Sequence, residues 1–105
     1  MDDEHHVFKA SRWTKGNLFF PVRIEVNPER VTRIKPRLFG ASEESIAISK
    51  VASVTIETGI FFSEIRIDSS GGANPILSHG HFKEDARAIR ALVEKLQQSR
   101  EATNG

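Results

Sequence analysis

Four histidines, a run of cations and two apolar doublets are the residues in this chain whose types and spacing could do chemistry. His79-x-His81 would set two imidazoles on one face of a strand, and His5-His6 could add further nitrogens, a donor set of the kind that holds zinc. Zinc wants three or four ligands in fixed geometry with a supporting shell, which a strand end and a mobile tail are poorly built to supply. No metal or other cofactor is therefore expected. Arg30, Arg33, Lys35 and Arg37 form a cationic run that could grip phosphate, anionic lipid, nucleic acid or an acidic partner, since the guanidinium forks onto such groups. The competing reading is a solvated edge strand whose charges keep other strands from pairing with it. Apart from Phe39, the run lacks the interleaved aromatics on which single-stranded nucleic acid stacks.

Phe61-Phe62 sends adjacent rings to opposite faces if a strand persists there, one ring to the core and one to solvent. An outward ring at a loop could anchor a partner or a second copy, while an irregular turn would bury both. Leu38-Phe39 carries the same ambiguity, and the four residues together make self-association the most concrete functional expectation. Trp13, the single tryptophan, is expected to pack and pin the N-terminal segment. For catalysis the chain offers no cysteine or tyrosine, no nucleophile elbow and no paired acids at catalytic spacing. Ser69-Ser70-Gly71-Gly72 lacks the lysine of a phosphate-binding loop, so no enzyme activity is expected.

The elements that must position these residues come from patterning. At 105 residues, 38% hydrophobic and 28% charged, the chain has the size and composition of one globular domain. The net charge is +1, unevenly spread: residues 1–40 carry eight Lys/Arg against five Asp/Glu, and residues 41–105 carry seven against nine. That asymmetry is far weaker than the basic face of a dedicated nucleic-acid binder. Without cysteine, disulfides are excluded, which fits a reducing compartment. No apolar run approaches a membrane span and the leading residues are acidic, so a soluble cytoplasmic protein is expected.

Residues 1–15 read as a flexible or weakly structured leader, residues 16–100 as the domain, and residues 101–105 as a disordered tail. Phe20, Val22, Ile24 and Val26 alternate with polar residues and predict a strand, with Asn27-Pro28-Glu29 as a tight turn. Arg30–Lys35 returns with Val31 and Ile34 out of phase, which suggests a bulge or a bent edge. A loop over 36–45 precedes a third strand at 44–49. Val51–Ser69 is the organising stretch. Ala52, Val54 and Ile56, then Ile65 and Ile67, alternate with polar residues about a turn at Thr58-Gly59, making an antiparallel hairpin with one apolar face. A short final strand spans 75–79. Phe82, Ala86, Ile89, Leu92, Val93 and Leu96 then share one stripe of an amphipathic helix that should cover the hairpin.

Six or seven antiparallel strands followed by one helix is an α+β, mostly β, layout. The chain resembles the bacterial pleckstrin-homology-like domains. The resemblance rests on Ile48–Val54, on Thr58–Ile67, on the Ser-Gly-Gly loop and on the closing Ala86–Leu96 helix, and covers roughly residues 18–98. It implies a partly open antiparallel β-barrel capped by the C-terminal helix, a non-enzymatic scaffold and, in some members, ring-like self-assembly. In eukaryotic relatives of the fold a basic first hairpin loop binds phosphoinositides. Asn27-Pro28-Glu29, taken as that loop, is short and not basic.

Overall fold

Seven stretches of extended chain pair in antiparallel register, and the computed structural model describes residues 5–14 and 16–104, the last five as backbone only. The strands are β1 (His6–Lys9), β2 (Arg23–Val26), β3 (Arg30–Pro36), β4 (Ala41–Ala47), β5 (Val51–Thr58), β6 (Phe62–Ser69) and β7 (Ile76–Phe82). A 3₁₀ turn over Ile48–Lys50 joins β4 to β5, and one helix, α1 (Lys83–Asn104), follows β7 directly. The strands form two antiparallel sheets, ordered β1-β2-β3-β4 and β5-β6-β7, so the fold is α+β and mostly β. No strand closes the two into a barrel among the described residues.

The apolar faces of both sheets meet under the helix. Ile24, Val26, Val31 and Ile46 from the first sheet and Ile65, Ile67 and Ile76 from the second join one buried cluster with Ala86, Ile89, Val93 and Leu96 of α1. Those four helical residues lie at i, i+3, i+7 and i+10, the stripe that a 3.6-residue period turns to one side. Each large aliphatic side chain so buried contributes about 1.5–3 kcal/mol. Gln97 fastens the helix further down, its Nε2 donating to Ile48 O at 3.0 Å and Val51 O at 2.8 Å. No helix of the described residues is long and apolar enough to cross a membrane.

Several expectations are corrected. Phe82 belongs to β7, opposite Phe62, so the helical stripe starts one turn later than the period suggests, at Ala86. The first expected strand begins at Arg23 rather than Phe20, because side chains take the backbone groups that a ladder would use: Asn17 Oδ1 accepts from Val22 N at 2.9 Å and Lys35 Nζ donates to Phe20 O at 2.7 Å. The 36–45 loop shrinks to Arg37–Gly40, closed by Arg37 N to Gly40 O at 3.0 Å, and β4 starts at Ala41. β3 runs in regular register with both neighbours; the irregularities fall instead between Val51 and Ser53 and between Ser63 and Ile65. Of the expected leader, residues 6–9 form β1, paired from His6↔Val26 to Lys9↔Arg23, while residues 1–4 and Lys15 lie outside the described residues. α1 continues through residues 101–104 of the expected tail, and Gly105 lies outside the described residues.

Candidate interaction surface

On β3, alternation turns Arg33 and Lys35 to the same face as Val31, toward the interior, and the structure splits the cationic run accordingly. Lys35 works as a half-buried strut at the sheet surface. Its ammonium donates to Gly16 O, to Phe20 O and, at 3.4 Å, to Asn17 Oδ1. Burial, then the positive charge of Arg33, holds its pKa below the usual lysine range. Arg33 lies 3.5 Å from Glu44, with its Nε buried and without a hydrogen-bond partner. Arg37 donates to Ser42 Oγ across the β3–β4 turn, and Arg30 is exposed at the start of the strand. The four cations therefore do not converge on one patch.

The apolar doublets do reach solvent. Leu38 and Phe39 stand at the tip of the β3–β4 turn, Phe39 at 88% exposure. Phe61 is 75% exposed at the β5–β6 turn, whereas Phe62 is half-buried and meets Phe82 edge-on, with ring centroids 5.7 Å apart. Patterning missed a third set. Trp13, expected to pack, is 79% exposed, and Phe19 beside it in the β1–β2 connection is 76% exposed. The signal available was local: Leu18-Phe19-Phe20 is an apolar triplet that breaks the period of two just before Pro21. A groove of about 510 Å³ runs among Lys9, Arg12, Trp13, Phe19, Phe20 and Phe82, with Pro36 and Arg23 at its edge and no carboxylate in its lining. Trp13 also borders the neighbouring hollow with Gly59 and Phe62. Trp13, Phe19 and Phe20 of the β1–β2 connection thus share a groove with Phe82 of β7, which touches Phe62 and through it Phe61, an aromatic rim; Leu38 and Phe39 stand apart on the β3–β4 turn. This also corrects the identity of the first hairpin loop. It is the β1–β2 connection, residues 10–22, which is long and carries Arg12 and Lys15.

The histidines do not share a face. The register shift in the β6–β7 pair, at Gly80 with φ +86°, leaves His79 exposed, 3.9 Å from Glu64, and buries His81 completely. His81 Nε2 is 2.6 Å from Ser78 Oγ, and its Nδ1 has no hydrogen-bond partner. Burial, then the charges of His79 and Arg33, pushes its pKa down to about 4. The Ser78–His81 contact has the shape of a nucleophile and its base, yet the second ring nitrogen has no carboxylate to orient it and so weak a base draws few protons. His5 pairs with Glu25 at 3.3 Å and His6 stacks on Phe8, so the four imidazoles are dispersed. Among the described residues no three His, Asp or Glu side chains come together as metal ligands. A second cleft, of about 580 Å³, is lined by Asn17, Arg33, Lys35, Glu57, Glu64 and His79 among others. Its charges are of both signs, and Lys35 and Arg33 are already engaged. No known protein family, no curated protein and no solved structure matches the chain.

Proposed function

We propose that the chain is a non-catalytic binding and assembly module of pleckstrin-homology-like type, acting in the cytoplasm and joining copies of itself through the aromatic rim. The order of a four-stranded sheet, a three-stranded sheet and a closing helix supports the fold half of this reading, with the two sheets as the walls of a partly open barrel. The observation that carries the functional half is the exposure of Trp13, Phe19 and Phe61 at 75% or more, beside the touching rings of Phe61, Phe62 and Phe82. Monomeric domains rarely leave such a patch open, and aromatic anchors dominate interface energetics. Light scattering across a concentration series should give a defined oligomer, and Phe61→Ser should weaken it about thirtyfold. A monomer at millimolar concentration would refute the reading.

One observation favours a second reading, a peripheral anionic-surface binder. Its cations are not those of β3 but Lys9, Arg12 and Arg23, which edge the aromatic groove without a carboxylate in its lining, although Arg23 is shared with Glu25 at 2.7 Å. Vesicles rich in anionic lipid should then bind the protein at low salt and release it as salt rises. Lys9→Glu with Arg12→Glu should cost about 2 kcal/mol or more of that affinity, at roughly 1 kcal/mol per cation at a charged bilayer. Equal binding of the double variant and the parent would end the second reading.

A further inference from the structure

The edge of a sheet presents unpaired N–H and C=O groups to any chain that can match them, and sheets are usually blunted there by shortness, charge or cover. Among the described residues, three of the four sheet edges are blunted in those ways. β1 is four residues long. β4 carries the exposed pair Glu43 and Glu44. β7 is covered by the β1–β2 connection, with Ser11 N donating to Gly80 O at 2.8 Å and Asn17 Nδ2 to His79 O at 3.3 Å. β5 is the least protected of the four, with a bulge between Val51 and Ser53 and Glu57 as its one charge. It is eight residues long, has no proline, and bears no charge before Glu57. Among the described residues, its start alone is held, where Gln97 Nε2 donates to Val51 O at 2.8 Å.

We propose that β5 is a self-complementary edge at which a second copy of this chain adds antiparallel, extending the three-stranded sheet into a six-stranded one across a twofold axis at Thr55. The phase follows from the hairpin. Gly59 N donates to Phe62 O at 2.8 Å, so Glu57, Thr55 and Ser53 exchange bonds with β6, and Val54, Ile56 and Thr58 turn their backbone groups outward. Pairing this stretch with itself about Thr55 lets Val54 and Ile56 of one copy exchange bonds with Ile56 and Val54 of the other, and keeps the ladder clear of the bulge between Val51 and Ser53. Val54 then lies opposite Ile56 of the second copy, and Ile56 opposite its Val54. Both side chains are half-buried and already pack against the core, so the pairing prolongs the apolar face across the axis. Thr55 meets Thr55, a favourable cross-strand match, and Glu57 meets Ser53, so no like charges are opposed. A centre at Glu57 would set two carboxylates against each other, which disfavours it.

This interface rests on the assembly reading and adds to the aromatic rim a second surface at which copies can join. The test is sedimentation equilibrium of the full chain with Thr55→Lys, with Thr55→Asp, and with the two mixed in equal amounts. Thr55 is exposed, so neither change burdens the fold. Each variant alone should dimerise about fivefold more weakly or worse, because like charges face each other on the axis, and the mixture should regain the parent affinity or exceed it. Loss in both variants without recovery in the mixture would overturn the register. An oligomer indifferent to both variants but broken by Phe61→Ser would overturn strand pairing and leave the aromatic rim as the interface. A parent chain that stays monomeric would overturn the assembly reading itself.

Discussion

Gly80→Ala should lower stability by about 3 kcal/mol, the sum of roughly 1 kcal/mol for a left-handed backbone and 1–3 kcal/mol for a steric conflict with no room to relax. Gly80 has φ +86°, and a Cβ built there lies 2.2 Å from Thr14 Oγ1, 2.8 Å from Thr14 Cβ and 2.9 Å from Asn17 Nδ2. Those atoms cannot simply swing aside. Thr14 Oγ1 donates to Ser11 O at 2.7 Å and accepts from Asn17 Nδ2 at 2.8 Å, while Asn17 satisfies the buried N–H of Val22. Moving them undoes the knot that covers the β7 edge. Gly40 is the natural control, since its φ is +87° and nothing lies within 4 Å of its Cβ position. Thermal melts should show a fall of about 15 °C for Gly80→Ala and about 5 °C for Gly40→Ala, at several degrees per kcal/mol for a domain of this size. Equal falls would mean that the 11–17 segment does not press on β7 as described.

The second large effect is a loss of stability in mild acid that passes through His81. The ring is fully buried and its pKa is held at about 4, against about 6.5 in an unfolded chain. Above pH 6.5 the group is neutral in both states and contributes no slope. Between pH 6.5 and 4 the unfolded chain takes up a proton that the folded protein refuses, so stability falls with falling pH, by up to about 1.4 kcal/mol per unit. Below pH 4 both states are protonated and the slope vanishes. The integrated loss is about 3 kcal/mol. Carboxylates add an acid slope of their own, so the readout is the difference between the parent and His81→Gln, whose neutral amide can keep a hydrogen bond to Ser78. Urea titrations from pH 7 to pH 4 should show the parent's advantage over the variant shrinking by that amount. Parallel curves would show that burial of His81 carries no protonation penalty.

What could be read from sequence follows from how far each signal travels along the chain. β5, β6 and the Ala86–Leu96 stripe were legible because a period of two or 3.6 is written in neighbouring residues. Phe82 was ambiguous on those same grounds, fitting a helix through its spacing to Ala86 and a strand through its pairing with Phe62. β1 was not legible, since four residues without alternation become a strand only by meeting β2 after a long connection. That connection was also opaque. It is held by Asn17 and Lys35 bonding to backbone groups, contacts that leave no periodic trace. The site shared the same divide. Leu38, Phe39 and Phe61 could be singled out from their turns, and Phe62 proved the inner member of its pair. Trp13 and Phe19 were missed because their exposure depends on the connection, and Lys35 was taken for a surface cation because its carbonyl partners lie in another element.

The position of α1 after the last strand has a consequence for how this protein is made. Ile89, Val93 and Leu96 complete a core that Ile24 and Val26 begin near the other end of the chain, and Gln97 fastens the turn that joins the two sheets. On the ribosome the strands are finished while the element that shields their apolar faces is still being synthesised. The nascent chain therefore carries two sheets whose apolar faces stay uncovered until α1 follows them. Packing of Ile89, Val93 and Leu96 against both sheets is thus the last step of a core that spans most of the described residues.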